Sequence, residues 1–301
     1  MRIGVAATPD VALPTLNALL ASSHEIALVI SQPDRAAGRG QEVRSSPVST
    51  WAINQKIALI QPESPEELVG LIEDLDCIVT IGYGVLLPEA ILKLPRYGFI
   101  NLHFSLLPAY RGAAPVQRAL ENGELITGVT VFELDKGMDT GPVYCSSTLS
   151  IDPTWRAQEL FKELAEIAPE VVEAALQAIS LGQRPTPQIG QASRAPKISK
   201  EEAKIDWKQS AESVLRRIRA FYPSPIAWST WKGEGFRVTD AKIHTTTVPP
   251  GEITIVDGCV TVGCGGDTAI TLLSVIPSGK KEMLAIDWAR GARLEIGSHF
   301  G

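Results

Sequence analysis

The stretch "GFINLHFSLLPAYRG", residues Gly98–Gly112, decides the reading of this chain. A short apolar run ends in Asn101 and His103, and the stiff turn Leu106-Leu107-Pro108 follows at once. Residues two apart on a strand point to one face. The spacing therefore sets an amide and an imidazole side by side. Ligands of open parallel sheets bind beyond the carboxyl ends of the strands. The question is whether the neighbouring sequence builds such a sheet.

It does. "RIGVAAT", "EIALVIS", "KIALIQ" and "CIVTIGYG" are further short apolar runs. Helical patterns separate them: "VALPTLNALLAS", "SPVSTWAINQ" and "SPEELVGLIEDL". This alternation predicts an α/β fold, a doubly wound, mostly parallel Rossmann-like sheet. "TGVTVFEL" and "GPVYCSSTLSI" add two strands. "TWRAQELFKELAEIAPEVVEAALQAI" reads as a long amphipathic helical region, with Pro169 a candidate break point. The first strand runs into "AATPDVA" and not G-x-G-x-x-G, which argues against NAD or FAD.

From Gly182 the pattern changes. "GQRPTPQIGQASRAPKISKEEAKIDW" is rich in Pro, Gly and charge and reads as a linker. One helix follows, "SAESVLRRIRAFY", and then short strands with Gly turns, ending in "ARLEIG". They predict a small OB-like β-barrel. The expected organisation is residues 1–183, a basic linker 184–204, and a barrel domain 205–301.

The 301 residues carry a net charge of −6, with 45% hydrophobic and 21% charged residues, as in ordinary globular proteins. An acidic chain is no general polyanion binder, but the charge is uneven. From Arg184 to Arg219 nine cations face four acids, and Arg35, Arg39 and Arg44 form a second cluster. Such patches hold phosphates or solvate a loop. No run reaches the ~18–20 apolar residues of a membrane span. Pro9 and Asp10 interrupt the N-terminal apolar run, which reads as a strand and turn and not as a signal peptide. The four cysteines form no C-x-x-C pair, so neither a zinc site nor a disulfide framework is indicated, and a reducing cytoplasm fits.

Asn101 can donate to a developing oxyanion, and His103 can donate or shuttle a proton. The carboxylate that such chemistry needs lies in "LDKGMDTGPVY", where both Asp135 and Asp139 can reach the sheet edge. Asp139 stands between Gly137 and Gly141, and Asp135 reads more readily as a turn residue; spacing alone leaves the choice open. A carboxylate beside the His would favour the imidazolium and orient the ring.

"INLHFSLLPAYRGAAPVQRAL" together with "TGVTVFELDKGMDTGPV" resembles the folate-dependent formyltransferase superfamily. That superfamily includes glycinamide-ribonucleotide, sugar-nucleotide and methionyl-tRNA formyltransferases, and formyltetrahydrofolate hydrolases. "SQPDRAAGRGQEVRSSPV", "KISKEEAKIDWKQSAESVLRRIRAFYPSPIAW" and "SGKKEMLAIDWARGARLEIG" are similar to the methionyl-tRNA formyltransferases over nearly the whole chain. "ATPDVALPTLNALL" resembles the family's opening, with Ala7 where Gly is usual; Phe104 stands where Gly is common after the His.

The resemblance implies a catalytic set of Asn101, His103 and Asp139. It implies formyl transfer from 10-formyltetrahydrofolate to the α-amino group of methionyl initiator tRNA. Asn101 and His103 would stabilise the oxyanion of a tetrahedral intermediate, with Asp139 accepting the amine proton. No metal is needed, since the donor is already activated. Ser105, Leu106, Leu107 and Pro108 would meet the folate, with Tyr83, Gly84, Val85 and Leu86 as a second wall; the side chains of Leu86, Leu87, Leu106 and Leu107 read as core. For tRNA the expected contacts are Arg35, Arg39 (foremost) and Arg44. Lys197, Lys200 and Lys204 stand in the +5 segment, which would line a track between domains. Trp228 and Trp231 read as packing. The expected enzyme is a cytoplasmic monomer without membrane contact. Competing readings are a sugar-nucleotide formyltransferase, a formyltetrahydrofolate hydrolase, and a non-catalytic tRNA- or folate-binding protein.

Overall fold

The computed structural model describes residues 1–37 and 42–301. Two compact units divide the chain. The first holds residues 1–115, 126–150 and 161–196; the second holds 116–125, 151–160 and 197–301.

The first unit is built on β1 (Arg2–Ala7), β2 (Glu25–Ile30), β5 (Leu59–Ile60), β6 (Cys77–Ile81), β7 (Phe99–His103), β8 (Ile126–Glu133) and β9 (Val143–Ser150). They lie in the order β5-β2-β1-β6-β7-β8-β9. The first five are parallel, while β8 runs antiparallel to β7 and β9 antiparallel to β8. β1 and β6 bury nearly every residue, the pattern of central strands covered on both faces. A two-stranded ribbon, β3 (Arg35–Ala37) with β4 (Glu42–Arg44), follows β2. The helices reaching into this unit are α1 (Leu13–Ala21), α2 (Pro47–Gln55), α3 (Glu89–Leu92) and parts of α4 (Pro115–Asn122) and α5 (Ala157–Ser180). Ser46 caps α2 by accepting from Ser49 N at 3.0 Å, and Pro47 opens its first turn.

Two expected helical features differ. "SPEELVGLIEDL" forms only a 3-10 turn at Pro65–Leu68. Gly70 stands at φ +83° and stops propagation, and the Glu73 carboxylate takes the Gly70 and Ile72 N–H groups at 2.8 and 3.1 Å. Conversely, α5 runs unbroken through Pro169. Proline removes one backbone bond there. Leu164, Ala165, Ala168, Val171 and Val172 are all buried around it, and their burial keeps the helix whole.

The second unit holds α6 (Ala211–Ala220), then β10 (Trp228–Trp231), β11 (Glu234–His244), β12 (Ile253–Val256), β13 (Cys259–Cys264), β14 (Thr268–Pro277) and β15 (Met283–Leu284). These strands form an antiparallel sheet in the order β10-β11-β14-β13-β12, with β15 on β14. Its core is aromatic. Phe300 stacks on Trp207 at 5.4 Å between ring centroids, and Phe236 lies 4.6 Å from Trp288. Trp231 meets Trp288 edge to face, the packing role expected of it. The expected strand "ARLEIG" is absent: α7 (Ala285–Ala292) ends inside it, with Trp288 buried.

Candidate active site

β7 delivers Asn101 and His103 to the carboxyl edge of the first sheet, opposite Phe132 and Thr130 of β8. The Asn101 Oδ1 lies 2.8 Å from Thr80 Oγ1 on the neighbouring strand β6. That contact engages the amide oxygen, so Nδ2 is the group the amide has left for donation. His103 is buried, its ring edge-on to Phe132 at 6.4 Å. Its Nε2 donates to the Tyr110 carbonyl at 2.9 Å, since a carbonyl can only accept. Nδ1 is therefore the nitrogen open to chemistry.

Between the two candidate carboxylates the structure is plain. Asp135 turns into its own loop, accepting from Gly137 N at 2.9 Å and Thr140 Oγ1 at 2.7 Å. Asp139 Oδ2 lies 3.7 Å from His103 Nδ1 and accepts from Gly112 N at 2.7 Å. A separation of 3.7 Å exceeds a hydrogen bond. So Asp139 acts on the ring through charge, and the Tyr110 carbonyl orients it. Burial pushes His103 below its ordinary pKa and outweighs Asp139 and the Tyr110 bond, which both raise it. The carboxylate favours the imidazolium as expected, and desolvation of the ring outweighs it.

Backbone strain collects here. Tyr110 stands at φ +62° and Asp139 at φ +54°. Each left-handed non-glycine residue costs on the order of 1–3 kcal/mol and persists where the surroundings enforce it. Gly141 permits the enforcement: a Cβ there would sit 1.7 Å from the Glu133 carbonyl oxygen.

The enforcing element is the stretch read as linker. Thr186 pairs with Val143 through bonds of 2.7 and 2.8 Å. Ser193 accepts from Tyr110 N at 2.8 Å through its hydroxyl and from Arg111 N at 2.9 Å through its carbonyl. Ala195 N donates to the Arg111 carbonyl at 2.7 Å, and its own carbonyl accepts from Ala114 N at 3.0 Å. Gln188 donates to the carbonyls of Asp139 and Gly141 and accepts from Arg111. Residues 186–195 are thus strapped onto the site loops. Composition hid this, because an extended strap without periodicity has the composition of a linker.

The expected folate contacts divide. The Ser105 hydroxyl is buried and donates to the Ala109 carbonyl at 2.6 Å. Leu107 N donates to Thr130 Oγ1 at 3.2 Å, and the Pro108 carbonyl accepts from Ser193 N at 3.2 Å. The turn's polar groups thus hold the turn itself, leaving the half-buried Leu106 and Leu107 faces for a ligand. Tyr83 is buried and its carbonyl accepts from Gln32 Nε2 at 2.6 Å. Leu86 is 73% exposed and Val85 37%, beside Gly84, so Leu86 is not core as expected, whereas Leu87 is.

Of the tRNA candidates, Arg35, Arg44, Lys197, Lys200 and Lys204 are exposed. Arg39 lies outside the described residues. The Lys204 ammonium sits over the Trp228 ring at 5.8 Å, and Trp228 Nε1 donates to the Lys200 carbonyl at 2.6 Å. The nine-to-four charge count overstates the free cations. Arg216 pairs with Glu212, Arg217 with Glu121, and Arg219 donates to the carbonyls of Trp155 and Asp152. Glu121 and the two carbonyls lie outside the counted stretch and were invisible to it. Arg118 completes this network with Glu121 and Glu202.

An amide, an imidazole and a carboxylate at one sheet edge, followed by a small antiparallel domain, agree with what the chain matches. It belongs to the formyl transferase family, matching formyl transferase over residues 1–176 and the formyl transferase C-terminal domain over residues 197–293. Its curated relatives include a methionyl-tRNA formyltransferase of Nocardioides sp., 42% identical over 314 residues, covering 100% of this chain and 98% of the relative. Another, from Mycobacteroides abscessus, is 43% identical over 306 residues and covers 99% of both chains. Among solved structures, HypX from Aquifex aeolicus in complex with tetrahydrofolic acid superposes with a TM-score of 0.68 at 22% identity, over 96% of this chain and 46% of that one. Methionyl-tRNA formyltransferase from Clostridium thermocellum gives 0.59 at 17% identity, over 81% and 94%. Both likenesses show the shared fold.

Proposed function

We propose that this chain transfers a formyl group from 10-formyltetrahydrofolate to the α-amino group of methionyl initiator tRNA. The observation that carries the reading is the convergence of Asn101, His103 and Asp139 at the edge of β7, in a chain whose full-length relatives are methionyl-tRNA formyltransferases. The polar groups suit a formyl group and an attacking amine: an amide N–H that donates, and a buried ring nitrogen and a carboxylate held by a backbone N–H that accept.

The folate supplies the activated formyl carbonyl. Exposed Leu86 and Val85 and the half-buried Leu106 and Leu107 would hold it by apolar contact. Asn101 Nδ2 donates to the oxygen on which negative charge develops. His103 and Asp139 handle the protons. The ring begins neutral because burial favours that form, so Nδ1 is a lone pair facing the reaction. The proton lost by the attacking amine reaches the Nδ1–Asp139 pair. The imidazolium so formed is stabilised by the carboxylate 3.7 Å away and returns the proton to the departing nitrogen.

Arg35, Arg39 and Arg44, with Lys197, Lys200 and Lys204, are the proposed tRNA contacts. Catalysis is assigned to residues 1–183 and part of tRNA binding to residues 205–301. The reading carries with it a cytoplasmic monomer. Among the described residues no helix is long and apolar enough to cross a membrane.

The test is formyl transfer to initiator against elongator methionyl-tRNA, by wild type and Asn101→Ala. Initiator-selective formylation that falls ~10²–10³-fold in the variant supports the reading. Formyl passed instead to water or to a sugar nucleotide overturns the acceptor assignment and keeps the site.

A further inference from the structure

We propose that Gln188 is a positioning residue for the His103–Asp139 pair, locked in place by Arg111; the inference rests on the function proposed above. Gln188 Nε2 donates to the carbonyl oxygens of Asp139 and Gly141 at 2.9 and 2.8 Å. Its Oε1 accepts from Arg111 Nε at 3.1 Å and from Arg111 Nη2 at 2.6 Å. Both amide protons and both oxygen lone pairs are thus used. The orientation of the amide is fixed as well. Carbonyls only accept and a guanidinium only donates, so a flipped amide would oppose all four partners.

The placement matters because two loops meet at this amide. One loop carries the Tyr110 carbonyl that takes the His103 proton and the Gly112 N–H that holds the Asp139 carboxylate. Arg111 lies between those two residues. The other loop carries Asp139 itself, at φ +54°. Gln188 grips the second loop by two carbonyls and the first by Arg111, so it sets the distance between them. It touches neither the ring nor the carboxylate. Asp139 is the charged group that faces His103, while Phe132 covers the ring edge and Tyr110 takes Nε2. Loosening Gln188 therefore reaches His103 through Asp139.

Gln188→Met keeps the length of the side chain and removes all four hydrogen bonds. The expected result is a fall in kcat of ~10–100-fold with the KM for folate and for tRNA within about twofold, the scale of a misplaced reacting group. The acid limb of the rate profile should also move to lower pH, in the direction that Asp139→Asn moves it. A purely structural side chain would lower the melting temperature and leave that limb in place. The decisive measurement is the double-mutant cycle of Gln188→Met with Asp139→Asn. If Gln188 acts through Asp139, the double variant is about as slow as Asp139→Asn alone. Multiplicative losses overturn the inference. Where Gln188→Met yields too little folded protein, Arg111→Lys, which keeps the charge and loses the two-pronged grip, enters the same cycle. Full activity in Asp139→Asn would instead sink the site assignment on which the inference rests.

Discussion

His103 gives its Nε2 proton to the Tyr110 carbonyl, which accepts at 2.9 Å, and so turns Nδ1 toward Asp139. One backbone oxygen thereby decides which nitrogen of the ring faces the carboxylate. The histidine is oriented by its own chain seven residues on, and the carboxylate is left to tune its charge.

The first prediction concerns pH. His103 has a native pKa held below its ordinary value by burial. On acidification below pH ~6.5 the unfolded chain takes up the proton first, so the wild type loses stability as the pH falls toward the native pKa. His103→Asn lacks that loss. Between pH of about 7.5 and 5.5 the urea midpoint of wild type should fall relative to that of the variant. Parallel curves would contradict a buried neutral ring. In activity, Asp139→Asn removes the charge that raises the His103 pKa, and the acid limb should move further down.

Thr80→Val tests the Asn101 amide. The Thr80 hydroxyl lies 2.8 Å from Asn101 Oδ1 and 2.9 Å from the Ile100 carbonyl. Freeing the amide to rotate should lower kcat by about 10-fold, less than deleting a donor outright. Leaving buried acceptors unmet should cost ~1–3 kcal/mol by chemical denaturation. Adding Asn101→Ala should then slow the enzyme less than it slows the wild type.

The structure gives Phe104 a partner. It is buried, with its ring edge-on to Phe161 at 5.8 Å. Phe104→Ala should destabilise by ~3–5 kcal/mol, the range for buried aromatic truncation. A loss under about 1 kcal/mol in urea melts would mean that the pocket collapses readily.

Salt dependence separates two kinds of cation. Lys197 and Lys200 are exposed, and replacing both with Ala should raise the KM for tRNA. The double variant should also show a flatter salt dependence, the log–log slope shrinking by about one for each phosphate no longer neutralised. Arg217 is spent on Glu121 and the Glu202 carbonyl. Arg217→Ala should leave the salt slope unchanged and reduce stability instead.

Much of this architecture was legible, for identifiable reasons. The central strands are continuous apolar runs, so "CIVTI" reads as a buried parallel strand and is one. Asn101 and His103 were legible because a strand has a period of two. Long-range pairings were not legible. The strap of residues 186–195 shows no period, and its side chains bond to partners 43 to 83 residues away. Gln188 left one clue, a polar residue just after Pro187, which is too weak to act on. α7 was missed because Gly291 interrupts its pattern near a run that resembles a strand. The charge count failed because the carboxylate of Glu121 is remote in sequence from Arg217.

The strap has a consequence for recombination. The two matched family segments leave residues 177–196 between them, the natural place to cut and rejoin two such chains. That interval holds Gln188, Ser193 and Ala195, which are bonded to the loops of Tyr110, Arg111 and Asp139. A chimera broken at residue 177 would give the loops of Tyr110 and Asp139 a stranger's brace. One broken after Pro196 would inherit the brace with the loops it fits, so the seam tolerated by activity lies at the far end of the interval and not in its middle.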